Sequence, residues 1–487
     1  MSKIRLSKTK YCNGVQCPKM LWLQNNKPEV AEEIDNEGVF ATGHKVGILA
    51  QNYFGDYVNA EQFDAEGKQN ISLMIEKTKE FMNGNANNIA EAAFVIDGLY
   101  CAVDILHRNM DGWDIVEVKS STSVKNINKD DVAYQYYVLR LCNVNVKNVF
   151  LMHINNKYVR QGELDLKQLF VLEDLTEECK NKELQVKNNI ELIRQYNNTT
   201  DEPVHCVGQH CETPYQCAFR KYCCGDLPNP SVFDLRATTT KEKYELFNCG
   251  IKSFEDILTK KPKLGTKTMQ QVECFLKCQP DFIDKNAIKK FLNTLTYPIY
   301  HLDFETFQEA IPSYDGQRPY MQMPFQYSLH IEYEDGKLEH KEFIAKEGTD
   351  PRRAIAESLC RNIPMNVCCS AYNMNFEKGV LCDLANIFSD LAEHLLNISA
   401  NMHDFMEPFS KRNYYTADMQ GSYSIKYVLP ALYPDDTELN YDNLEGVHNG
   451  AEASSIFANL ADRTPEEIEK IRKELFKYCE LDTLAMV

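Results

Sequence analysis

The chain has 487 residues, of which 44% are hydrophobic and 25% charged, and its formal net charge is −18. That length exceeds what one hydrophobic core usually supports, so two large domains with a smaller connecting segment are expected. No apolar run is long enough to span a bilayer, and the acidic balance excludes a protein that coats nucleic acid by bulk electrostatics, leaving only a local binding surface.

The start, MSKIRLSKTKYC, has no apolar stretch behind its basic residues, so no signal peptide is expected and the cytoplasm is the expected compartment. In that reducing compartment the 18 cysteines are not expected to form disulfides, and their spacing has to be read for metal instead. Residues 1–226 are expected to form the first unit. Within it a helix is expected over 34–54, a polar acidic helix over 71–83, and alternating strand-like runs over 93–106 and 112–119. The run Leu227-Pro-Asn-Pro230 then breaks regular structure.

Residues 227–296 read as short helices around Gly250 and Gly265. Two readings stay open there. One is a helix-hairpin-helix-like pair, whose glycine turn lets backbone N–H groups approach a phosphate. The other is a plain helical linker with a capping glycine. From 297 to 487 a new α/β pattern begins, with strands expected over 299–304, 325–333 and 366–371. A last helix is expected over 465–483, where Thr464-Pro-Glu-Glu467 supplies an N-cap, a first-turn proline and an acidic first turn. Four residues follow Thr483, which points to a shortened C-terminus.

The runs Ala102-Val-Asp104-Ile-Leu106 and Trp113-Asp-Ile-Val-Glu117-Val-Lys119 read as adjacent strands, and period-two geometry puts Glu117 and Lys119 on one face. Carboxylates on neighbouring strands can share a divalent cation, and an ammonium beside them can orient water or neutralise developing charge. This set resembles the PD-(D/E)xK nucleases, specifically the RecB-like branch. The resemblance implies a restriction-endonuclease-like α/β domain in which His44, in Gly43-His44-Lys-Val-Gly47, is a further metal ligand. It also implies that Glu91 is the acid preceding the first core strand and that Gln135 contacts substrate. The family's glutamine-x-x-x-tyrosine spacing falls on Leu139, so Tyr136 and Tyr137 are the candidate replacements.

Cys211, Cys217 and Cys223 repeat at six-residue steps, and Cys17, in Cys17-Pro-Lys-Met-Leu-Trp22, is a distant fourth thiol. Four thiolates suit either Zn²⁺ or an iron-sulfur cluster. The arrangement resembles iron-sulfur RecB-like nucleases, which implies a [4Fe-4S] cluster held by Cys17, Cys211, Cys217 and Cys223 and stapling the ends of the first domain. Cys12, Cys206 and Cys224 are spare candidates.

Ile299-Tyr-His-Leu-Asp303-Phe-Glu305 places two carboxylates on one face of a strand. Glu377 follows a buried strand, and Tyr478 and Asp482 stand one helical turn apart. The order resembles DnaQ-like DEDD exonucleases of the tyrosine subtype, which implies a ribonuclease-H-like fold. The resemblance makes Asp303, Glu305, Glu377 and Asp482 ligands of two Mg²⁺ or Mn²⁺ ions, and Tyr478 the residue that positions water. Glu377 departs from the aspartate usual there. Asp404 is a candidate extra acid, and Ser424 and Lys426 resemble a substrate-touching segment.

The whole chain resembles a bacterial family that fuses the two domain types. That implies a metal-dependent dual nuclease acting on nucleic acid, single-stranded DNA favoured over RNA, with no membrane role. The competing expectation is a nucleic-acid-binding or RNA-processing protein in which one of the two sites is inactive.

Overall fold

The structure is a computed structural model describing every residue other than 1–5, 35, 36, 278–280, 437, 438, 440 and 445. The chain divides into two units. The first holds Met1–Leu227 together with Ala310–Tyr320, and the second holds Pro228–Glu309 and Met321–Val487. Both mix helices with sheets, so the chain is of the α/β class.

Seven strands build the first sheet: β1 (Leu6–Ser7), β2 (Val58–Asn59), β3 (Asn88–Ile96), β4 (Leu99–Asn109), β5 (Gly112–Lys119), β6 (Val146–Ile154) and β7 (Phe170–Asp174). They run in the order β2-β3-β4-β5-β6-β7, and β1 pairs with the start of β4 at Leu99 and Tyr100. The single run expected over 93–106 is in fact a hairpin. Asp97 (φ 49°) and Gly98 (φ 77°) both take positive φ, the requirement of a two-residue turn whose twist matches the flanking strands. The Asp-Gly pair was the signal, and the apolar residues on either side of it masked the break.

Each face of this sheet has its own core. On one face Cys101, Val103, Ile115 and Leu151 meet Val132 and Leu139 of the helix Asn126–Leu141 and Val186 and Ile190 of the helix Thr176–Asn197. On the other, Ile105, Val116 and Met152 meet Val46 and Ala50 of the helix Glu37–Ala50. Each of these valine, leucine, isoleucine and methionine side chains removed from water stabilises the fold by about 1.5–3 kcal/mol. The helix expected over 34–54 therefore exists as Glu37–Ala50, its expected residues 35 and 36 lying outside the described residues. The helix Ile71–Asn83 has the expected bounds, with Asn70 as its N-cap.

In the second unit a small antiparallel pair joins β8 (Phe282–Ile283) to a late strand, and a five-stranded sheet follows. Its strands are β9 (Ile299–Phe307), β10 (Met323–Glu332), β11 (Leu338–Ile344), β12 (Cys368–Ala371) and β13 (Met402–Asp404), in the order β11-β10-β9-β12-β13. The late strand that pairs with β8 is β14 (Tyr414–Tyr415). The β9–β10 and β10–β11 pairs are antiparallel, whereas β12 runs parallel to both β9 and β13. The helix Pro465–Leu484 packs on β9 and β10, and its start is a capping box between Thr464 and Glu467, as the sequence indicates.

The stretch expected as a separate linker belongs to the second unit. Its helices Thr240–Asn248, Phe254–Lys260 and Thr266–Lys277 surround a small core of Val232, Leu235, Ile251, Phe254, Ile257 and Val272. Gly250 (φ 75°) turns the chain between the first two helices. Among the described residues no helix is long and apolar enough to cross a membrane.

Candidate metal centres

β4 and β5 remain paired as far as Ile105 and Val116, and the first cluster of acids lies just beyond. There the Asp104 Oδ2 takes over from the strand ladder and accepts the Val118 N–H at 2.7 Å. Glu117, fully buried, accepts from Lys8 Nζ at 2.9 and 3.0 Å, from Lys119 Nζ at 2.6 Å and from Gln135 Nε2 at 2.7 Å. Lys8 Nζ also stands 3.6 Å from Asp104 Oδ1. Lys119 and Gln135 both reach Asp131, at 2.8 and 3.1 Å.

The structure thus brings together Asp104, Glu117, Lys119 and Gln135, and it adds Lys8 and Asp131, which sequence reasoning missed. Asp131 had a signal, since it lies four residues before Gln135 on the same helix face. Lys8 had none: it reaches the acids only because β1 pairs with β4 immediately before it. Glu91 also faces this cluster from β3. Its φ of 55° is rare for a residue with a side chain and marks strain at the site.

Electrostatics separate these acids. Burial, with the Glu117 charge beside it, pushes Asp104 up to about 6. Burial and Asp104 push Glu91 up to about 8. Burial acts on Glu117 in the same upward direction, but Lys119 and Lys8 more than offset it and hold Glu117 well below the usual carboxylate range. His44 is exposed on its helix, and among the described residues no hydrogen bond or ion pair joins it to the carboxylates. Tyr136 lies in the hydrophobic core and Tyr137 packs against it.

The four expected cysteines converge. Cys17 is the N-cap residue of the helix Pro18–Asn26; burial pushes its thiol up, and the nearby backbone N–H groups of Met20 and Lys19 act in the opposite direction. Cys217 is driven up to about 12 by burial, with further repulsion from Cys211, Cys17 and Cys223. Cys223 rises to about 11 for the same first reason, again with Cys17 and Cys211 adding to it. Four thiols near enough for ionisation of one to disfavour that of another make a donor set for a soft metal or an iron-sulfur cluster, and bound metal would hold them as thiolates. Gln16 Nε2 ties the two ends of the unit together by donating to the His210 and Tyr215 carbonyls, both at 2.7 Å. His205 and His210 come within 4.8 Å of Cys17, which the cysteine spacing did not reveal. Of the spare thiols, Cys12 belongs elsewhere, beside Asp131 and Lys119.

In the second unit, ligand oxygens of Asp303, Glu305 and Asp482 lie within 4.8 Å of one another. They line a cleft of about 350 Å³ with Glu377, Lys426, Tyr478 and Tyr372. Glu377 Oε2 is buried with no hydrogen-bond partner, an orphan of the kind a cation satisfies. Asp482 accepts from Tyr441 at 2.6 Å, and Tyr478 stands close enough to influence its charge. Lys426 Nζ donates to the His448 carbonyl at 2.9 Å and lies 3.5 Å from the Tyr478 hydroxyl. Tyr441 was missed, because it sits 41 residues from the acid it bonds. Asp404 Oδ1 accepts the Asn373 and Met406 N–H groups, both at 3.0 Å, and so fixes the turn that delivers Glu377, on which the charge of Asp404 also acts.

Burial and crowding hold this cluster short of full ionisation. Burial and the charge of Asp482 raise Glu305 to about 8, and burial likewise raises Glu377 to about 8 and Asp482 to about 6. Asp303 is pushed well above its usual range by burial and then by Asp482, Glu377 and Glu305. The donor sets of both acidic clusters fit a hard divalent cation.

Two outcomes follow from these charges. Lys8→Ala leaves buried carboxylates short of a counter-charge, so chelator-treated protein should lose about 3 kcal/mol in urea unfolding, and Mn²⁺ should recover more stability in the variant than in the wild type. Equal stability of the two proteins, with equal responses to Mn²⁺, contradicts this role for Lys8. Glu305 binds its proton more tightly folded than unfolded, so its contribution is complete below about pH 4.5 and is lost as pH rises through about 8. In chelator, Glu305→Gln should therefore melt higher than the wild type at pH 8.5, by about 2–4 °C per kcal/mol relieved, and the gap should close toward pH 5. A gap independent of pH, or one that widens on acidification, rules this out.

The comparisons with known proteins name no activity. A family model described as "Domain of unknown function (DUF2779)" matches residues 300–424, a stretch that includes Asp303, Glu305 and Glu377 and stops before Tyr478 and Asp482. The chain is similar to the uncharacterized protein MG366 of Mycoplasma genitalium, 26% identical over 223 residues, which is 42% of this chain and 33% of the relative. It is similar to the uncharacterized protein UU173 of Ureaplasma parvum serovar 3, 28% identical over 226 residues, covering 41% and 32%. It is also similar to the uncharacterized MG366 homolog of Mycoplasma pneumoniae, 26% identical over 251 residues, covering 47% and 37%. The chain spans about a third of the length of the curated relatives it matches.

Proposed function

We propose that the protein is a metal-dependent nuclease with two hydrolytic sites, a RecB-like PD-(D/E)xK site in the first unit and a DnaQ-like, ribonuclease-H-like exonuclease site in the second. The observation that carries this reading is the convergence of Asp303, Glu305 and Asp482 within 4.8 Å beside the orphaned Glu377. Buried carboxylates so placed repel one another, and divalent cations relieve that repulsion. Bound Mg²⁺ or Mn²⁺ supplies an activated water and stabilises the charge that develops at a scissile phosphate.

The remaining work falls to the chain's own groups. In the second unit Tyr478, which lines the cleft beside Asp482 with its hydroxyl 3.5 Å from Lys426 Nζ, can orient a water. Lys426 adds a positive charge on the same cleft, suited to a phosphate oxygen of the substrate strand. In the first unit Glu117 stays ionised between two lysines, whereas Asp104 and Glu91 hold protons more readily. This splits the acids between charge-bearing and proton-exchanging roles. Lys119, anchored by Asp131, is positioned to steer a nucleophilic water or neutralise the phosphate. The four-cysteine set fits a [4Fe-4S] cluster in a structural role, closing the ends of the first unit. Nucleic acid is the substrate class, with single-stranded DNA the first to test.

End-labelled single-stranded DNA, duplex DNA and RNA would be incubated with Mn²⁺ and wild type, Asp104→Asn, Asp303→Asn or the double variant, each purified without oxygen. Each single substitution should remove a different part of the product pattern, and the double variant should be slower by at least about 100-fold. Undiminished degradation by the double variant would assign the activity elsewhere.

A further inference from the structure

The face of the second sheet that receives the helix Pro465–Leu484 carries a group of side chains that the hydrolytic chemistry does not use. His330 on β10 and His340 on β11 are direct cross-strand partners, and their rings stack with centroids 4.5 Å apart. Glu480 approaches from the helix, its Oε1 3.7 Å from His340 Nδ1. Ligand atoms of His330, His340 and Glu480 all lie within 4.8 Å of one another. Glu342, two residues along β11 and therefore on the same face as His340, is opposite Ser328.

The hydrogen bonds around the two rings are those of an outer ligand shell. His330 Nδ1 bonds the Thr483 hydroxyl at 2.8 Å, and His340 Nε2 bonds the Ser328 hydroxyl at 2.9 Å. The two hydroxyls bond each other at 2.6 Å. This chain of contacts occupies one nitrogen of each imidazole and leaves the other, His330 Nε2 and His340 Nδ1, without a hydrogen bond among the described residues. Metal-binding histidines are commonly held this way, with the second ring nitrogen tied to a fixed partner that sets tautomer and orientation. Burial with His340 alongside keeps His330 down at about 4, so its lone pair is available at neutral pH. Packing alone would have been served by apolar residues. Two stacked imidazoles facing a carboxylate instead match the nitrogen and oxygen donors of a borderline divalent cation.

We propose that His330, His340 and Glu480, with Glu342 within reach as a fourth donor, form a separate site for a Zn²⁺-class cation on the β10–β11 hairpin. The site has a mechanical consequence. Glu480 lies between Tyr478 and Asp482 on the same helix, so a cation there pins the helix that carries two residues of the acidic cleft to the sheet that carries two others. Its three donors leave one position for Glu342 or water, and the half-exposed Glu480 carboxylate can close on the ion by a side-chain rotation.

Chelator-treated full-length protein would be titrated with Co²⁺, following visible d–d absorption and metal content, and then challenged with Zn²⁺. The wild type and Asp303→Asn should each show a Co²⁺ site displaced by Zn²⁺ and free of the thiolate charge-transfer band that cysteine ligation gives. His340→Ala and Glu480→Gln should each weaken that site by at least about 100-fold, and Ser328→Ala, which removes only an outer partner, by about 10- to 100-fold. Should His340→Ala fail to fold, by circular dichroism and melting, Glu480→Gln and Ser328→Ala decide the matter. Unchanged Co²⁺ affinity in the folded variants, or a site lost in Asp303→Asn alone, overturns the proposal.

Discussion

Carboxylates buried next to carboxylates are the constraint on which both candidate centres depend. An ionised acid withdrawn from water without a partner costs several kcal/mol, and a second acid beside it adds repulsion. The two units meet that constraint in different ways. In the first, Lys8 and Lys119 stand within hydrogen-bond distance of Glu117, so the chain supplies its own cations and one acid stays ionised. In the second, Lys426 is the cation that lowers Glu305 and Asp482, and it leaves both above their usual range. Protons fill the deficit in the second cluster, and a divalent cation that displaces them would find a donor set already assembled. The first cluster would have to exchange a lysine ammonium for a metal, so the two sites should respond differently to metal concentration and pH.

The fold places these acids by a different device in each unit. β4 and β5 part company where Asp104 and Glu117 emerge, so the side chains at the end of the pairing face each other instead of a ladder. In the second unit β9 delivers Asp303 and Glu305, and the helix Pro465–Leu484 brings Tyr478 and Asp482 back onto that strand across more than 170 residues. The same helix presents Glu480 and Thr483 to His340 and His330. One element therefore reports on two sets of donors, and what fixes its register on the sheet matters to both.

How much of this was legible in the sequence depended on whether the determining contact was local. Glu117 with Lys119, and Asp303 with Glu305, are visible because a strand repeats every two residues, and Tyr478 with Asp482 because a helix repeats every turn. The helix Pro465–Leu484 was readable from its cap. Lys8, Tyr441 and the His330–His340 pair were not, since each acts through strand pairing or chain reversal that no local pattern encodes. The Asp97-Gly98 turn was legible and overlooked, because apolar residues on both sides extend the strand pattern across it. His44 and Tyr136 were named only from a motif's order along the chain, and the structure leaves one exposed and buries the other in the core.

The central claim is that both acidic clusters are cation sites. Crystals grown in chelator and soaked in Mn²⁺, with data collected at an energy where manganese scatters anomalously, test it most directly. The account predicts anomalous peaks among Asp303, Glu305 and Asp482 and beside Asp104 and Glu117, the latter with the Lys8 ammonium displaced from Glu117. Absence of manganese from both clusters at saturating Mn²⁺, with Lys8 still bonded to Glu117, would contradict it.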